Sequence, residues 1–260
     1  MSLDAIETRV AHTGGDELRL RGYRVFGQLL GNTSAAQVLI LGMTGTLLDR
    51  DAALVIDDIL VAMSSADPRL WPFKVTRLAS AHGSVAAGVA ATLLAGEGGM
   101  YGSNRLASAT SWLAGLAQRG PLDDEAMAAV LREGAQGFGV LYRARDERFV
   151  ALASQIAKRG REALPYWRLC MQAVRVARSE LQLEAHVYLG LAALCLDLGL
   201  APQAVAALSF ILLFHDALAN ATEGAEQRPL ILRALPWSSV EDRSRPLRQS
   251  PHALRAPTLG

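Results

Sequence analysis

The sequence predicts an all-α protein with a short N-terminal ribbon. Three observations predict it. Helix-start signals recur along the chain, with Ser, Asp or Pro standing ahead of apolar runs of helical period. Those runs are longer than ordinary strands. Only Leu18-Arg19-Leu20-Arg21-Gly22-Tyr23-Arg24-Val25 alternates apolar and basic residues around a glycine, as a strand or ribbon does.

The 260 residues are 51% apolar and 20% charged, enough for a sizeable core and one or two domains. A net charge of +1 implies no nucleic acid or other bulk polyanion as partner. Cys170 and Cys195 sit in apolar helical contexts and read as buried free thiols of a reducing, cytoplasmic compartment, with no metal-ligand spacing. Met1 to Asp16 is polar and does not read as a signal peptide. The most apolar region, Val187 to Phe214, is interrupted by Asp197, Pro202 and Gln203, so a buried helix pair is expected there and no membrane partner.

In chain order, Asn32-Thr33-Ser34 starts a helix running to about Gly42, and Gly45 allows the turn out. Asp49 to Met63 is a second, acidic at its start, with Leu54, Ile56, Ile59 and Leu60 as core candidates. Asp67-Pro68 begins a third, followed by His82 as a cation at its C-terminal end. Ser84 to Leu94 is small and alanine-rich and predicts a central buried helix. Gly96, Gly98, Gly99 and Gly102 form a turn before a helix near Ser103 to Leu116, and Pro121 to Glu125 opens another that ends at Gly134. Further helices are expected at Asp146–Arg159, Pro165–Arg178, Leu181–Leu198 and Pro202–Thr222. Past Pro236 the chain is a basic, proline-containing tail. Trp71, Trp112, Trp167 and Trp237 read as packing residues.

The stretch with the clearest chemistry runs from Gly137 to Arg148. Gly137 and Gly139 let the backbone bend and bring bare amides close to another group. Asp146 reads as an N-cap with Glu147 in the first turn. Arg143, Arg145 and Arg148 surround this loop–helix junction, a place suited to an anionic ligand carrying phosphates. It also reads as a helix connection with a solvated charged rim.

These residues resemble a motif of the citrate synthase superfamily: Gly-aromatic-Gly-His-Arg, a short spacer, then Arg-Asp-Pro-Arg. Gly137, Phe138, Gly139, Arg145, Asp146 and Arg148 match it in order, while Val140, Leu141 and Glu147 replace its His, Arg and Pro. The resemblance spans about Arg21 to Pro229 and is closest to the short branch containing citryl-CoA lyase and the lyase module of ATP-citrate lyase. Arg21-Gly22-Tyr23, Val38 to Gly45, Ser64 to Asp67, Arg77 to Gly83 and Gln227-Arg228-Pro229 resemble further segments of that family.

The resemblance implies a citrate synthase-like fold: a large helical domain over 1–136 and 185–235, and a small domain over 137–184, ahead of the 236–260 tail. It implies a homodimer that takes CoA or an acyl-CoA, with a small keto compound as second substrate and no tightly bound cofactor. Gly137, Phe138, Gly139, Arg145 and Arg148 fall at the CoA-binding loop. Glu184, in Gln182-Leu183-Glu184, stands where the family has its Asp base. Tyr101 stands where the family has a His that supports the thioester carbonyl, and its hydroxyl can donate to that oxygen. Arg228 is the surviving carboxylate partner, and His186 is a relocated imidazole or a satisfied helix-face histidine. Pro68, Val140 and Phe214 stand where the family has two His and an Arg. Two functions follow: carbon–carbon bond chemistry next to a CoA thioester with an altered substrate, or a paralogue without turnover that binds CoA or another protein.

Overall fold

In this computed structural model, residues 7–15, 17–64, 66–97, 102–140, 144–227, 236–239 and 241 are described. An antiparallel ribbon of β1 (Ala11–Gly14), β2 (Glu17–Leu20) and β3 (Tyr23–Arg24) opens the chain, one strand more than the alternation predicts. The Arg21 side chain ties its second turn to the helices by donating to the Gly42 carbonyl at 2.9 and 3.1 Å. A five-residue π-helical turn, Val25–Leu29, leads onward.

Ten helices follow among the described residues: α1 (Ala35–Thr44), α2 (Arg50–Ala62), α3 (Trp71–Ser80), α4 (Val85–Ala95), α5 (Ser103–Gln118), α6 (Asp124–Gly134), α7 (Glu147–Lys158), α8 (Pro165–Leu181), α9 (Val187–Asp197) and α10 (Pro202–Glu226). Most begin for reasons visible in the sequence. Ser34 and Gln37 form a reciprocal capping box on α1, and Asp49, Ser84, Asp123 and Asp146 accept from first-turn amides of α2, α4, α6 and α7. Proline opens α8 and α10. Asp197, at the far end of α9, accepts the Tyr166 and Trp167 amides at 2.8 Å each and so caps α8 from outside.

The core is centred on α9, which is buried from Val187 to Cys195. Helices α5, α7, α8 and α10 pack around it. Each fully buried Leu or Ile there contributes roughly 1.5–3 kcal/mol. On one side α3, α4 and α10 pack together; on the other α2 meets α7, where Arg159 pairs with Asp58 at 2.9 Å. Trp167 is buried and stacks on Phe149, and Trp112 meets Phe138 edge-on. Cys170 and Cys195 are free and buried, and burial raises both thiols, that of Cys195 to about 12. By length and composition α10 is apolar enough to cross a membrane, but half of its most apolar window is buried against the fold, and buried Asp216 and Asn220 interrupt its inner face.

Several expectations need correction. Helix α3 starts at Trp71, not at Asp67-Pro68, because the Asp67 carboxylate turns to the Arg69 amide and guanidinium, and Pro72 takes the first-turn position. His82 lies exposed just beyond its end. The expected Leu181–Leu198 helix is divided: Leu181 ends α8, Gln182 turns left-handed at φ 53°, and α9 begins only at Val187. Helix α4 is not fully enclosed. Only Gly88 and Thr92 are buried on it, and Leu94 is 74% exposed, since an all-apolar helix has no polar face to mark its outer side. Leu54 also faces outward.

Candidate functional site

The division between α8 and α9 creates the site. Residues 182–186 form a loop, and it pairs with the glycine loop in a short antiparallel bridge between Phe138 and Ala185. His186 donates its amide to the Gly137 carbonyl, and Gly139 donates to the Glu184 carbonyl, both at 2.9 Å. The Gly139 amide is therefore spent on the protein itself. Gly137 has φ 81°, and a Cβ there would lie 2.9 Å from that of Leu189, so glycine permits close approach to α9. Phe138 is buried beneath Trp112.

Asp146 is the hub beneath this bridge, with 4% exposure. Its carboxylate caps α7 through the Arg148 amide at 3.1 Å and receives the Arg148 guanidinium at 2.9 and 2.8 Å. It also accepts the Val187 amide, the first of α9, at 2.9 Å. One carboxylate thus joins the starts of two helices. Burial alone raises its pKa, but the Arg148 hydrogen bonds and charge, with the Val187 amide, outweigh burial and hold it below the usual carboxylate range.

His186 caps α9, its Nδ1 accepting the Tyr188 amide at 3.3 Å while Nε2 lies 3.2 Å from the Arg148 guanidinium. A neutral imidazole has one acceptor nitrogen, so these two bonds are alternatives. Burial, then the Arg148 charge, lowers its pKa to about 4, so the ring is neutral at physiological pH. Its ring centroid is 4.5 Å from that of Tyr188, whose hydroxyl accepts the Gly102 amide at 3.3 Å. Gly102, at φ 91°, has no room for a Cβ against the Gly96 carbonyl. Tyr188 thereby ties Gly102, at the start of α5, to the 182–188 region.

Glu184 lies at the outer edge. Arg178 holds it in a two-point pair at 3.0 and 2.8 Å, and Arg145 approaches to 3.6 Å. The Arg178 hydrogen bonds are the largest influence on its pKa; burial opposes them, and the Arg178 and Arg145 charges help them hold the carboxyl below its usual range.

The structure therefore brings Gly137, Phe138, Gly139, Arg145, Arg148, Glu184 and His186 into one region. Tyr101, Arg143 and Arg228 lie outside the described residues. Phe214 and His215 sit on α10, with His215 Nε2 2.9 Å from Ser64 Oγ and 3.3 Å from Asp216. Both contacts use one nitrogen, so they do not form a proton relay through the ring. Sequence reasoning missed Arg178 and Tyr188. The only available signal was that the apolar period fails between Leu181 and Val187.

The helical order and the α5–α9 packing define a citrate synthase-like all-α fold. The chain is similar in structure to citryl-CoA lyase from Hydrogenobacter thermophilus, with a TM-score of 0.81 over 95% of this chain and 97% of that one at 21% identity. ATP citrate lyase from Methanothrix soehngenii, solved with citrate and coenzyme A, matches at a TM-score of 0.75 and 15% identity. The Methanosaeta concilii ATP citrate lyase, solved with (3S)-citryl-CoA, matches at 0.73 and 16%. Each of these alignments spans 94% of this chain and 42% of the longer lyase. No family model and no curated protein sequence matches the chain.

Proposed function

We propose that this protein makes or breaks the carbon–carbon bond next to a CoA thioester, in the manner of a citryl-CoA lyase and on an altered substrate. The end-to-end likeness to citryl-CoA lyase carries the reading. The meeting of the Gly137–Gly139 loop, Arg145, Arg148 and Glu184 supports it. In this reading Arg145, Arg148 and the glycine loop hold CoA, His186 lines the substrate site, and Arg228 is the residue assigned to a carboxylate of the partner substrate. Glu184 takes the proton next to the thioester carbonyl, and the Tyr101 hydroxyl donates to the carbonyl oxygen as charge develops there. Residues 137–184 move as a small domain on the loop glycines. The assembly in this reading is a homodimer.

A second reading, a CoA-binding subunit without turnover, is favoured by one observation. The Glu184 carboxylate is already paired with Arg178, and a carboxylate so held is a weak base.

Calorimetric titration with CoA and acetyl-CoA tests both readings. Saturable binding, weakened by Arg145→Ala and by Arg148→Ala, is expected, and absence of binding to either ligand overturns them. Cleavage of citryl-CoA to acetyl-CoA and a keto acid, with the thioester kept intact and the activity lost in Glu184→Gln, then separates the enzyme from the subunit. Equal turnover in that variant removes Glu184 from the base role.

A further inference from the structure

We infer that Arg145 and Arg178 form a seat for an oxyanion of the ligand, a phosphate or a carboxylate, and that the Glu184 side chain competes for that seat. The two guanidiniums converge on one carboxylate. Arg178 meets both of its oxygens at 3.0 and 2.8 Å, and Arg145 reaches the first at 3.6 Å. This is the fork geometry that guanidinium uses for carboxylate and phosphate groups.

The charges do not balance. Two cations face one anion, so a dianionic group fits the seat better than Glu184 does. Both arginines are open to solvent, with side chains 61% and 46% exposed, while Glu184 is 23% exposed. Arg148 is not part of the seat, because it is paired with buried Asp146.

Glu184 can leave without moving the fold. Its backbone is fixed by the bond from the Gly139 amide to its carbonyl, so only side-chain torsions change. The left-handed turn at Gln182 is what folds the chain back and lets residue 184 reach residue 178. An anion that takes the arginines releases the carboxylate beside the ligand. Ligand entry and exposure of the base then become one event.

The inference rests on the reading of this region as the CoA site, and its test is separable from that reading. The full-length protein is titrated calorimetrically with inorganic pyrophosphate and, separately, with citrate, at constant ionic strength. Glu184→Gln removes the competitor and is expected to tighten binding about fivefold, the scale on which partly exposed ion pairs compete. Arg178→Gln is expected to weaken it about tenfold. Asp124→Asn is the control. It frees Arg175, on the same helix α8, from a two-point pair at 2.7 Å for each bond, but with one cation to one anion. No gain in Glu184→Gln, or an equal gain in Asp124→Asn, overturns the inference. A gain for pyrophosphate assigns the seat to the CoA phosphates, and a gain for citrate alone assigns it to a substrate carboxylate. If CoA does not bind but the pyrophosphate gain appears, the proposed function fails and the seat stands. If CoA binds and Glu184→Gln changes nothing, the seat fails alone.

Discussion

Replacing Asp146 by alanine tests whether one buried carboxylate holds two helix starts together. The variant removes the α7 cap, worth about 1 kcal/mol. It leaves the buried Val187 amide without its acceptor, which costs roughly 1–2 kcal/mol. It also strips Arg148 of its two-point partner. That guanidinium side chain is 24% exposed, so water recovers part of the loss, and about 1 kcal/mol remains. The sum is about 3–4 kcal/mol. For a chain of this length each kcal/mol moves the melting midpoint by about 2 °C, so Asp146→Ala is expected to melt about 6–8 °C lower at pH 7. The folded-state pKa of Asp146 is depressed, so its contribution is present above the unfolded carboxylate pKa and is lost as pH falls through the folded value. The gap between wild type and variant should therefore narrow below about pH 4. Calorimetric melting of both proteins from pH 7 to pH 3 measures this. A gap under about 1 °C at pH 7, or one that does not change with pH, refutes the reasoning.

Three other outcomes follow from the same structure. The His186 ring should titrate near pH 4 by NMR, not near 6.5, and because its folded pKa is lowered, stability should fall as pH drops from 6.5 toward 4; an ordinary titration shows that the ring is not buried beside Arg148. Gly102→Ala forces a Cβ against the Gly96 carbonyl at a backbone angle that side chains avoid, so a sharp loss of folded protein in expression and melting is expected, and an unchanged midpoint contradicts the turn geometry. Trp167→Ala empties a buried site against Phe149 and should cost about 3–5 kcal/mol, or about 6–10 °C in midpoint, with a small change showing that the core collapses into the space.

Much of the fold is legible because its helix starts are local. Ser34, Asp49, Ser84, Asp123 and Asp146 each stand at the start of an expected helix, and each accepts a first-turn amide there, Asp146 as the N-cap its position predicts. Errors arise where a local signal has a stronger competitor. Asp67 stands before a proline and reads as a cap, but Arg69, two residues on, engages its carboxylate. Ser84 to Leu94 is apolar all round, and periodicity cannot show which side of such a helix meets a neighbour. The cap that Asp197 supplies to α8 joins residues about thirty apart, and no window of sequence contains it.

The candidate site divides on the same line. Asp146 and Arg148 are legible as a cap and a cation, because both belong to the start of α7. Their shared burial with His186 is not, since it depends on α9 beginning beside α7. Reading Leu181 to Leu198 as one helix places Glu184 on a helix face. The left-handed turn at Gln182 moves it into a loop instead, and there Arg178 becomes its partner. That one backbone residue changes the chemistry assigned to the carboxylate. On a helix face Glu184 is a base or a solvated charge; in the loop it is an anion already bound between two arginines. For proton abstraction, the pair with Arg178 must first open, and an incoming anion of greater charge is the agent most suited to open it.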